Sequence, residues 1–200
     1  MVFRSEKDGT QVRCLEVSVQ ATPYDRRAQA IMDEGVLRNY PMATPEPCCA
    51  PGVFEDGTVK KDVDGAFLLN HGTSTEVGLH ILRDGRLQNS TDCSLRAVYF
   101  GRKPSEIQYY IHGAVVQCSV AAFPLSAKNS TWLRNRYPPA RPVPIGTMCH
   151  FTDKSVPHEI AVDRDSTQVR TVTFNYRRLQ DYIETERPEL RKQLPNFPDS

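Results

Sequence analysis

Residues 68–82, LLNHGTSTEVGLHIL, place an apolar run next to an amphipathic one, and this pair of patterns constrains the fold more than any other segment. The apolar residues 66–69 predict a buried strand, because a short apolar run bounded by turn residues is typical of a covered sheet. We expect that strand to end at a turn containing His71 and Gly72. Such a turn leaves an imidazole and free backbone groups at the edge of a sheet, where small-molecule sites are often built.

A helix is predicted immediately after this turn. Three apolar residues recur at i, i+4 and i+5, which is the spacing of one helical face. They are Val77, Ile81 and Leu82. The Asp84-Gly85 pair that follows is typical of a helix end, since glycine readily adopts the left-handed conformation common just after a helix.

Similar short patterns cover most of the remaining chain. Further strands are predicted at residues 11–20, 95–100, 113–123, 159–162 and 168–174. Helices are predicted at residues 24–37, 104–110 and 179–194, the last interrupted at Pro188, and irregular structure at 39–61 and 124–148. Short strands mixed with a few helices predict an α+β fold of mostly antiparallel sheets. We expect one domain over residues 1–200, with a C-terminal helix and tail at 177–200.

The composition is nearly neutral and moderately apolar. Lys and Arg number 25 and Asp and Glu number 24, so the formal net charge of +1 predicts no general attraction to nucleic acid. No run approaches the roughly 20 apolar residues of a membrane span, and the opening MVFRSEKDGT lacks the apolar core of a signal peptide. These features predict an intracellular protein, cytoplasmic or nuclear, without a membrane partner.

The cysteines argue against a metal site. Six are present, and their spacing does not match the pairs that hold zinc. They are Cys14, Cys48, Cys49, Cys93, Cys118 and Cys149. Free thiols in a reducing compartment are expected for a chain with no visible secretory signal. We therefore predict no metal.

Glu159 is the acidic residue that most suggests a function. It lies in the apolar sequence VPHEIAV, where burying a carboxylate is costly unless it has a partner or a task. A purely structural pair with Arg164, Arg170 or His158 is the alternative. His71 and Tyr99 also have structural alternatives. His71 is then a histidine hydrogen-bonded to a neighbouring carbonyl, and Tyr99 is then a core residue.

The arginine-rich segment 132–141 mixes aromatic and cationic residues. Such a mixture is typical of surfaces that contact nucleic acid or an acidic protein. A solvated loop is the favoured interpretation, because the net charge gives nucleic-acid binding no support.

Three segments follow one another in a particular order: His71-Gly72-Thr73, Tyr99-Phe100-Gly101 and Glu159-Ile-Ala-Val. In this order and spacing they resemble the His-Tyr-Glu signature of the ADP-ribosyltransferases of the poly(ADP-ribose) polymerase type. The similarity is strongest over residues 65–174. It implies a catalytic domain of split, mostly antiparallel β-sheets with flanking helices.

The resemblance also implies that NAD is the co-substrate. No GxGxxG follows a predicted strand, so a Rossmann mode of NAD binding has no support. In the implied site, His71 binds the adenosine ribose and the backbone of Gly72 binds the nicotinamide carboxamide. Tyr99 and Tyr110 enclose the nicotinamide ring, and Glu159 stabilises the positive charge that develops on the ribose.

Two further residues belong to the implied donor site, and two departures from the family pattern accompany them. Thr73 and Ser105 are expected to line the NAD site. Ile107 occupies the position where the family commonly has a serine that binds nicotinamide, and the loop 86–96 is shorter than the family's usual donor-site loop.

The implied function is that of a pentosyltransferase. It cleaves the bond between nicotinamide and ribose and transfers ADP-ribose, as single units or short chains, to a protein or nucleic-acid acceptor that the sequence does not identify. An NAD-dependent RNA 2′-phosphotransferase and a catalytically inactive domain that binds NAD or ADP-ribose are the alternatives. An unrelated structural domain is a fourth interpretation.

Overall fold

The computed structural model describes residues 2–4, 11–19, 66–91, 93–125, 127–134, 141–152 and 158–192. The helix predicted at 24–37, the irregular segment at 39–61 and the end of the C-terminal tail lie outside these residues. Within them the chain is a mixed α+β structure whose sheets are mostly antiparallel, as predicted.

The strands are short and are numbered in chain order. They are β1 (Val2–Arg4), β2 (Gln11–Ser18), β3 (Phe67–Ser74), β4 (Leu95–Arg96), β5 (Val98–Phe100), β6 (Gly113–Val120), β7 (Phe123–Pro124), β8 (Arg141–Pro142), β9 (Thr147–Phe151), β10 (Glu159–Val162) and β11 (Thr167–Asn175). The described helices are α1 (Thr75–Asp84), α2 (Ala127–Arg134) and α3 (Tyr176–Thr185), with 3-10 helices at Pro104–Tyr110, Arg164–Ser166 and Pro188–Lys192.

The largest sheet has five antiparallel strands in the order β1-β2-β11-β6-β3. Helices α1 and α3 contact each other and pack on its inner strands. The core between them is built from apolar side chains that are almost completely buried, which is the main source of stability in such a layer. Its members include Val116, Val172, Phe174, Leu179 and Ile183.

A second sheet has four strands in the order β5-β10-β9-β7, and β4 and β8 form a separate parallel pair. The first and second sheets meet edge to edge. Asn70 of β3 and Gly101, just after β5, exchange two backbone N–H···O bonds of 2.9 Å each. This bridge fixes the end of β3 against the end of β5.

The turn predicted at His71 and Gly72 is wrong, because β3 continues through both residues to Ser74. His71 pairs with Val116 and Gly72 with Val115 of β6, so the ladder is unbroken. Local sequence could not reveal this continuation, since it depends on a partner strand some forty residues along the chain. The imidazole still lies at a sheet edge, because β3 is the last strand of its sheet.

The helix after β3 is confirmed. Ser74 caps its N-terminus by accepting a hydrogen bond from the Val77 N–H, and Gly85 ends it with a φ of 68°. Val77 differs from the expectation of a buried apolar face, because the residue is 42% exposed.

Three other predicted segments differ in detail. The strand expected at 95–100 is divided between two sheets at Ala97. The irregular segment expected at 124–148 contains α2 and the beginning of β9, and the helix 104–110 is of the 3-10 type. The C-terminal helix begins at Tyr176, earlier than expected, because Asn175 caps it. None of the helices among the described residues combines the length and apolarity needed to cross a lipid bilayer.

Candidate functional site

The candidate site lies where β3, β5, β10 and the 3-10 helix Pro104–Tyr110 meet. His71 links the first two strands. Its Nδ1 lies 2.8 Å from the backbone oxygen of Tyr99. A carbonyl oxygen only accepts, so Nδ1 carries the proton and donates it. The other ring nitrogen, Nε2, then keeps a lone pair with which it accepts a hydrogen bond.

Burial keeps the His71 ring neutral. Desolvation lowers its pKa below the usual value, and the hydrogen bond to the Tyr99 carbonyl offsets part of this effect. The ring also contacts Phe100 edge to face, with the two centroids 5.9 Å apart. The imidazole is therefore held in one orientation and one protonation state.

Tyr99 is fixed at both its backbone and its hydroxyl. The hydroxyl donates to the Leu95 oxygen at 3.0 Å and accepts from the Leu95 N–H at 3.2 Å. Desolvation, the largest cause, helps raise the pKa of Tyr99 to about 12. Because β4 already satisfies the hydroxyl, the half-buried ring itself is what Tyr99 offers to a ligand.

Glu159 is the first residue of β10 and is half-buried. Tyr99 pairs with Ala161 of the same strand. Since alternate residues of a strand share a face, Glu159 lies on the face that carries Tyr99. After burial, the Glu159 charge is among the causes that raise the pKa of Tyr110 and, to a smaller extent, that of Tyr99.

Tyr110 ends the 3-10 helix and is 47% exposed. Gly72 allows this helix to approach β3. A Cβ on Gly72 would lie 3.0 Å from the Tyr110 carbonyl carbon and 3.2 Å from the Ile107 oxygen. Tight backbone packing therefore favours glycine at this position, whereas the approach of a ligand was the reason expected from the sequence. The backbone contact places Tyr110 beside β3.

Thr73 and Ser105 are less closely joined to this group. The Thr73 oxygen accepts from the His112 N–H at 3.0 Å, and its side chain is half-buried. Ser105 is exposed on the 3-10 helix. The Ile107 side chain is buried against Gly101, where an added Cβ would come within 2.7 Å of its Cγ2. Ile107 therefore serves the core, and only its backbone faces Gly72.

An ion pair that the sequence did not reveal braces this helix. Arg102 donates to Glu106 Oε1 through Nε at 2.9 Å and through Nη2 at 2.5 Å. Glu106 Oε2 also accepts from the Arg102 backbone N–H at 2.8 Å. Its only sequence signal is the separation of four residues, which is too common to single out a pair. The brace fixes the start of the helix that carries Tyr110.

The structural partners suggested for Glu159 have other hydrogen bonds. Arg170 donates from Nε to Ser119 at 2.6 Å, and Arg164 donates from Nη1 to Gln88 at 2.8 Å. His158 contacts His150, with 3.1 Å between their ring nitrogens. Each of these side chains therefore has at least one contact with a residue other than Glu159.

The opposite end of β10 anchors the loop that follows α1. Asp163 is buried, and its two oxygens accept from Asn89 Nδ2 and from the Asp165 N–H, both at 2.9 Å. Asn89 in turn accepts from the Arg164 N–H at 2.9 Å. A cavity of about 580 Å³ lies beside these residues.

The arginine-rich segment is only partly the loop that was expected. Within α2, Leu133 is buried and Arg134 lies over the ring of Phe151, 4.7 Å from its centroid. Phe151 pairs with Glu159 across β9 and β10. The guanidinium of Arg134 therefore lies on the side of the sheet that carries Glu159.

Among the described residues, no three His, Cys, Asp or Glu side chains are grouped closely enough to hold a metal ion. The described cysteines are free thiols. The chain matches no known family model, and no curated protein matches its sequence.

Proposed function

We propose that the protein is an NAD-dependent ADP-ribosyltransferase with the ADP-ribosyltransferase-like arrangement of split sheets. The observation that carries the proposal is the placement of His71, Tyr99 and Glu159 on adjoining strands, with Tyr110 on the 3-10 helix that packs against β3. His71 bonds to the backbone of Tyr99, and the charge of Glu159 acts on both tyrosines. Convergent polar and aromatic groups on packed elements are what a binding site requires.

The proposed reaction breaks the C–N bond between nicotinamide and C1′ of the ribose. The electron pair leaves with nicotinamide, and positive charge develops on the ribose ring. An acceptor nucleophile then forms a bond to C1′ and loses a proton. Glu159 stabilises the developing charge, for the reason that carboxylates serve oxocarbenium-like states in glycosidases, and it accepts the proton from the acceptor.

The remaining groups bind and orient NAD. The Nε2 lone pair of His71 accepts a hydrogen bond from an adenosine ribose hydroxyl, which requires the neutral ring. The rings of Tyr99 and Tyr110 enclose the nicotinamide, since offset aromatic stacking and exclusion of water both favour that position. The backbone of Gly72 contacts the carboxamide.

The test uses NAD labelled in the adenylate moiety, with wild type, Glu159→Gln and Glu184→Gln compared side by side. Glu184 is an exposed carboxylate on α3 and serves as the matched control. We expect wild type and Glu184→Gln to release nicotinamide and transfer the label. Glu159→Gln should lose about 10²–10⁴-fold in rate, the usual effect of removing an acid–base group.

Each other outcome has a distinct meaning. Nicotinamide release without label transfer indicates an NAD glycohydrolase or an acceptor absent from the assay. Where the label is transferred, the gel mobility of the labelled product distinguishes single ADP-ribose units from chains. Saturable NAD binding without release from wild type indicates an inactive NAD-binding domain. If the folded wild-type protein shows no NAD binding and no nicotinamide release, the proposal is excluded.

A further inference from the structure

Two histidines that the proposed chemistry does not use adjoin Glu159: His158 directly precedes it in the chain, and His150 lies on the neighbouring strand β9. His150 of β9 and His158, the residue before β10, have ring nitrogens Nε2 and Nδ1 3.1 Å apart. The ring planes differ by only 3°. This separation is that of an N–H···N hydrogen bond, in which one ring donates and the other accepts.

His158 has a backbone conformation that needs support. Its φ of 60° lies in the left-handed region, which residues other than glycine rarely adopt. Such a conformation persists where the surroundings hold it, and it is often found at functional sites. Because His158 directly precedes Glu159, its backbone angles set the direction in which the first residue of β10 leaves the turn.

His150 is well placed to hold that turn. It is buried on β9, where it pairs with Ile160, while Glu159 pairs with Phe151. The ring contact with His158 therefore adds a side-chain bond to the same end of the ladder. Two neighbouring strands and one ring pair thus fix the residue that carries the carboxylate.

The charged groups that act on the pair come from the brace beside the 3-10 helix. Arg102 lowers the pKa of both histidines, after the larger effect of burial, and Glu106 opposes this. The pKa of His150 falls to about 4. Both rings are thus neutral near pH 7. The hydrogen bond needs a proton on one of the two facing nitrogens and a lone pair on the other. If both rings become charged, both nitrogens carry protons and neither can accept the bond.

We propose that His150 and His158 form a positioning pair for Glu159, whose shared hydrogen bond holds the turn before β10 and is lost when both rings are charged. The inference rests on the proposed function only in assigning a catalytic task to Glu159. It makes activity sensitive to acid through a bond outside the site, in addition to any titration within it.

The test compares His150→Leu, which removes the bond, with His150→Gln, whose amide reaches the same place as Nε2. We expect His150→Leu to lower kcat for nicotinamide release by about 10- to 100-fold, because small displacements of a reacting group have effects of this size. The KM for NAD should not change, since the NAD-binding groups lie on other elements. His150→Gln should recover most of the rate and lose the acid limb of the pH profile. His80→Leu, an exposed change on α1, is the control.

A second pair of variants separates backbone from ring. His158→Gly adopts the left-handed conformation freely, whereas His158→Ala does not. Glycine should therefore lower kcat less than alanine. Equal losses for Gly and Ala, or equal rates for His150→Leu and His150→Gln, would overturn the positioning role.

Amide hydrogen exchange provides a readout that does not depend on catalysis. Exchange at Glu159 and Ile160 should quicken in His150→Leu and stay near wild type in His150→Gln. If wild type releases no nicotinamide, the proposed function fails, and exchange alone decides whether the pair holds the turn. Unchanged exchange in His150→Leu would overturn the proposal in either case.

Discussion

The two ends of β10 each present a carboxylate, and their surroundings differ. Asp163, just after the strand, is buried with each oxygen accepting a hydrogen bond at 2.9 Å from a neutral donor. Glu159, at the start of the strand, is half-buried and lies on the face that carries Tyr99, and, after the larger effect of burial, its charge helps raise the pKa of Tyr99 and Tyr110. One carboxylate fastens a loop, and the other lies on the face of the sheet that carries Tyr99.

This difference shows how the roles of the two acids are separated. A buried carboxylate held by donors of its own chain has a structural task, because those donors lose their partners if it is removed. Glu159 instead lies on the strand face that carries Tyr99, whose hydroxyl is fixed by the Leu95 backbone, and we propose that its charge acts on a ligand there. Two carboxylates at the ends of the same strand can therefore have different roles, one structural and one proposed to be catalytic.

The largest expected effect comes from neutralising the two acids in turn. Glu159→Gln should lower nicotinamide release by about 10²–10⁴-fold with little change in stability. Asp163→Asn should behave in the opposite way. The asparagine has one side-chain oxygen in place of two, so its NH2 group faces either the Asn89 amide or the Asp165 N–H, and that donor loses its acceptor. This loss should lower the free energy of unfolding by about 1–3 kcal/mol. Urea unfolding and the nicotinamide assay, run on both variants, measure the two effects.

Similar losses of rate in both variants would contradict the comparison, because the anchored end would then take part in catalysis. Similar losses of stability would contradict it too, since Glu159 would then be a structural residue. Asn89→Ala provides a control, because it removes the donor while leaving Asp163 in place.

Glycine substitutions extend the comparison from acids to packing. Gly72→Ala forces a Cβ against the backbone of Tyr110 and Ile107, at 3.0 to 3.2 Å. Gly78→Ala instead meets side-chain atoms of Ala114 and Phe174 in the core, at 2.8 and 2.9 Å. We expect each to cost about 1–3 kcal/mol in stability. Only Gly72→Ala should also weaken NAD binding, as measured by calorimetry, since only it displaces the helix that carries Tyr110.

Local sequence was sufficient for those elements whose signals are local. Helix α1 has a serine cap and a glycine end, and β10 has the bounds predicted from its apolar run. The site residues His71, Tyr99, Tyr110 and Glu159 came from ordered motifs; the structure joins His71 to the Tyr99 backbone and puts Glu159 on the face that carries Tyr99. Their chemical roles remain predictions.

The elements that were missed depend on distant partners. Strand β3 extends past His71 because β6 continues beside it, and β9 was not recognised because its pairing with β10 defines it. The brace between Arg102 and Glu106 and the pair of His150 with His158 are likewise side-chain contacts that no spacing rule specifies. Contacts between residues that share no local sequence pattern therefore could not be predicted from the sequence.

A smaller effect is expected from Tyr99, which lies between the two ends of β10. Tyr99→Phe keeps the ring and loses the hydroxyl that bonds to both backbone groups of Leu95. Stability should fall by about 0.5–1.5 kcal/mol for each hydrogen bond lost. Tyr99→Ala removes the ring as well and should lose far more of the affinity for NAD. Equal affinities in the two variants would show that the ring does not contact the ligand.

The smallest expected effect is the pH dependence of NAD binding that arises from His71. It tests the proposed NAD-binding role of His71 directly. Burial lowers the pKa of this ring, so the folded protein keeps it neutral where a free imidazole takes up a proton. As pH falls below about 6.5, the unfolded chain binds that proton first, and stability declines. Within the folded state, Nδ1 donates to the Tyr99 carbonyl in either form, whereas protonation of Nε2 removes the lone pair proposed to accept from the ribose. Calorimetry on Glu159→Gln, which is expected to turn NAD over slowly, should give a Kd for NAD that stays constant as pH falls from about 8 through 6.5 and rises only when pH reaches the lowered pKa of His71. A Kd that is unchanged well below the lowered pKa would mean that His71 holds Tyr99 in place without contacting the ribose.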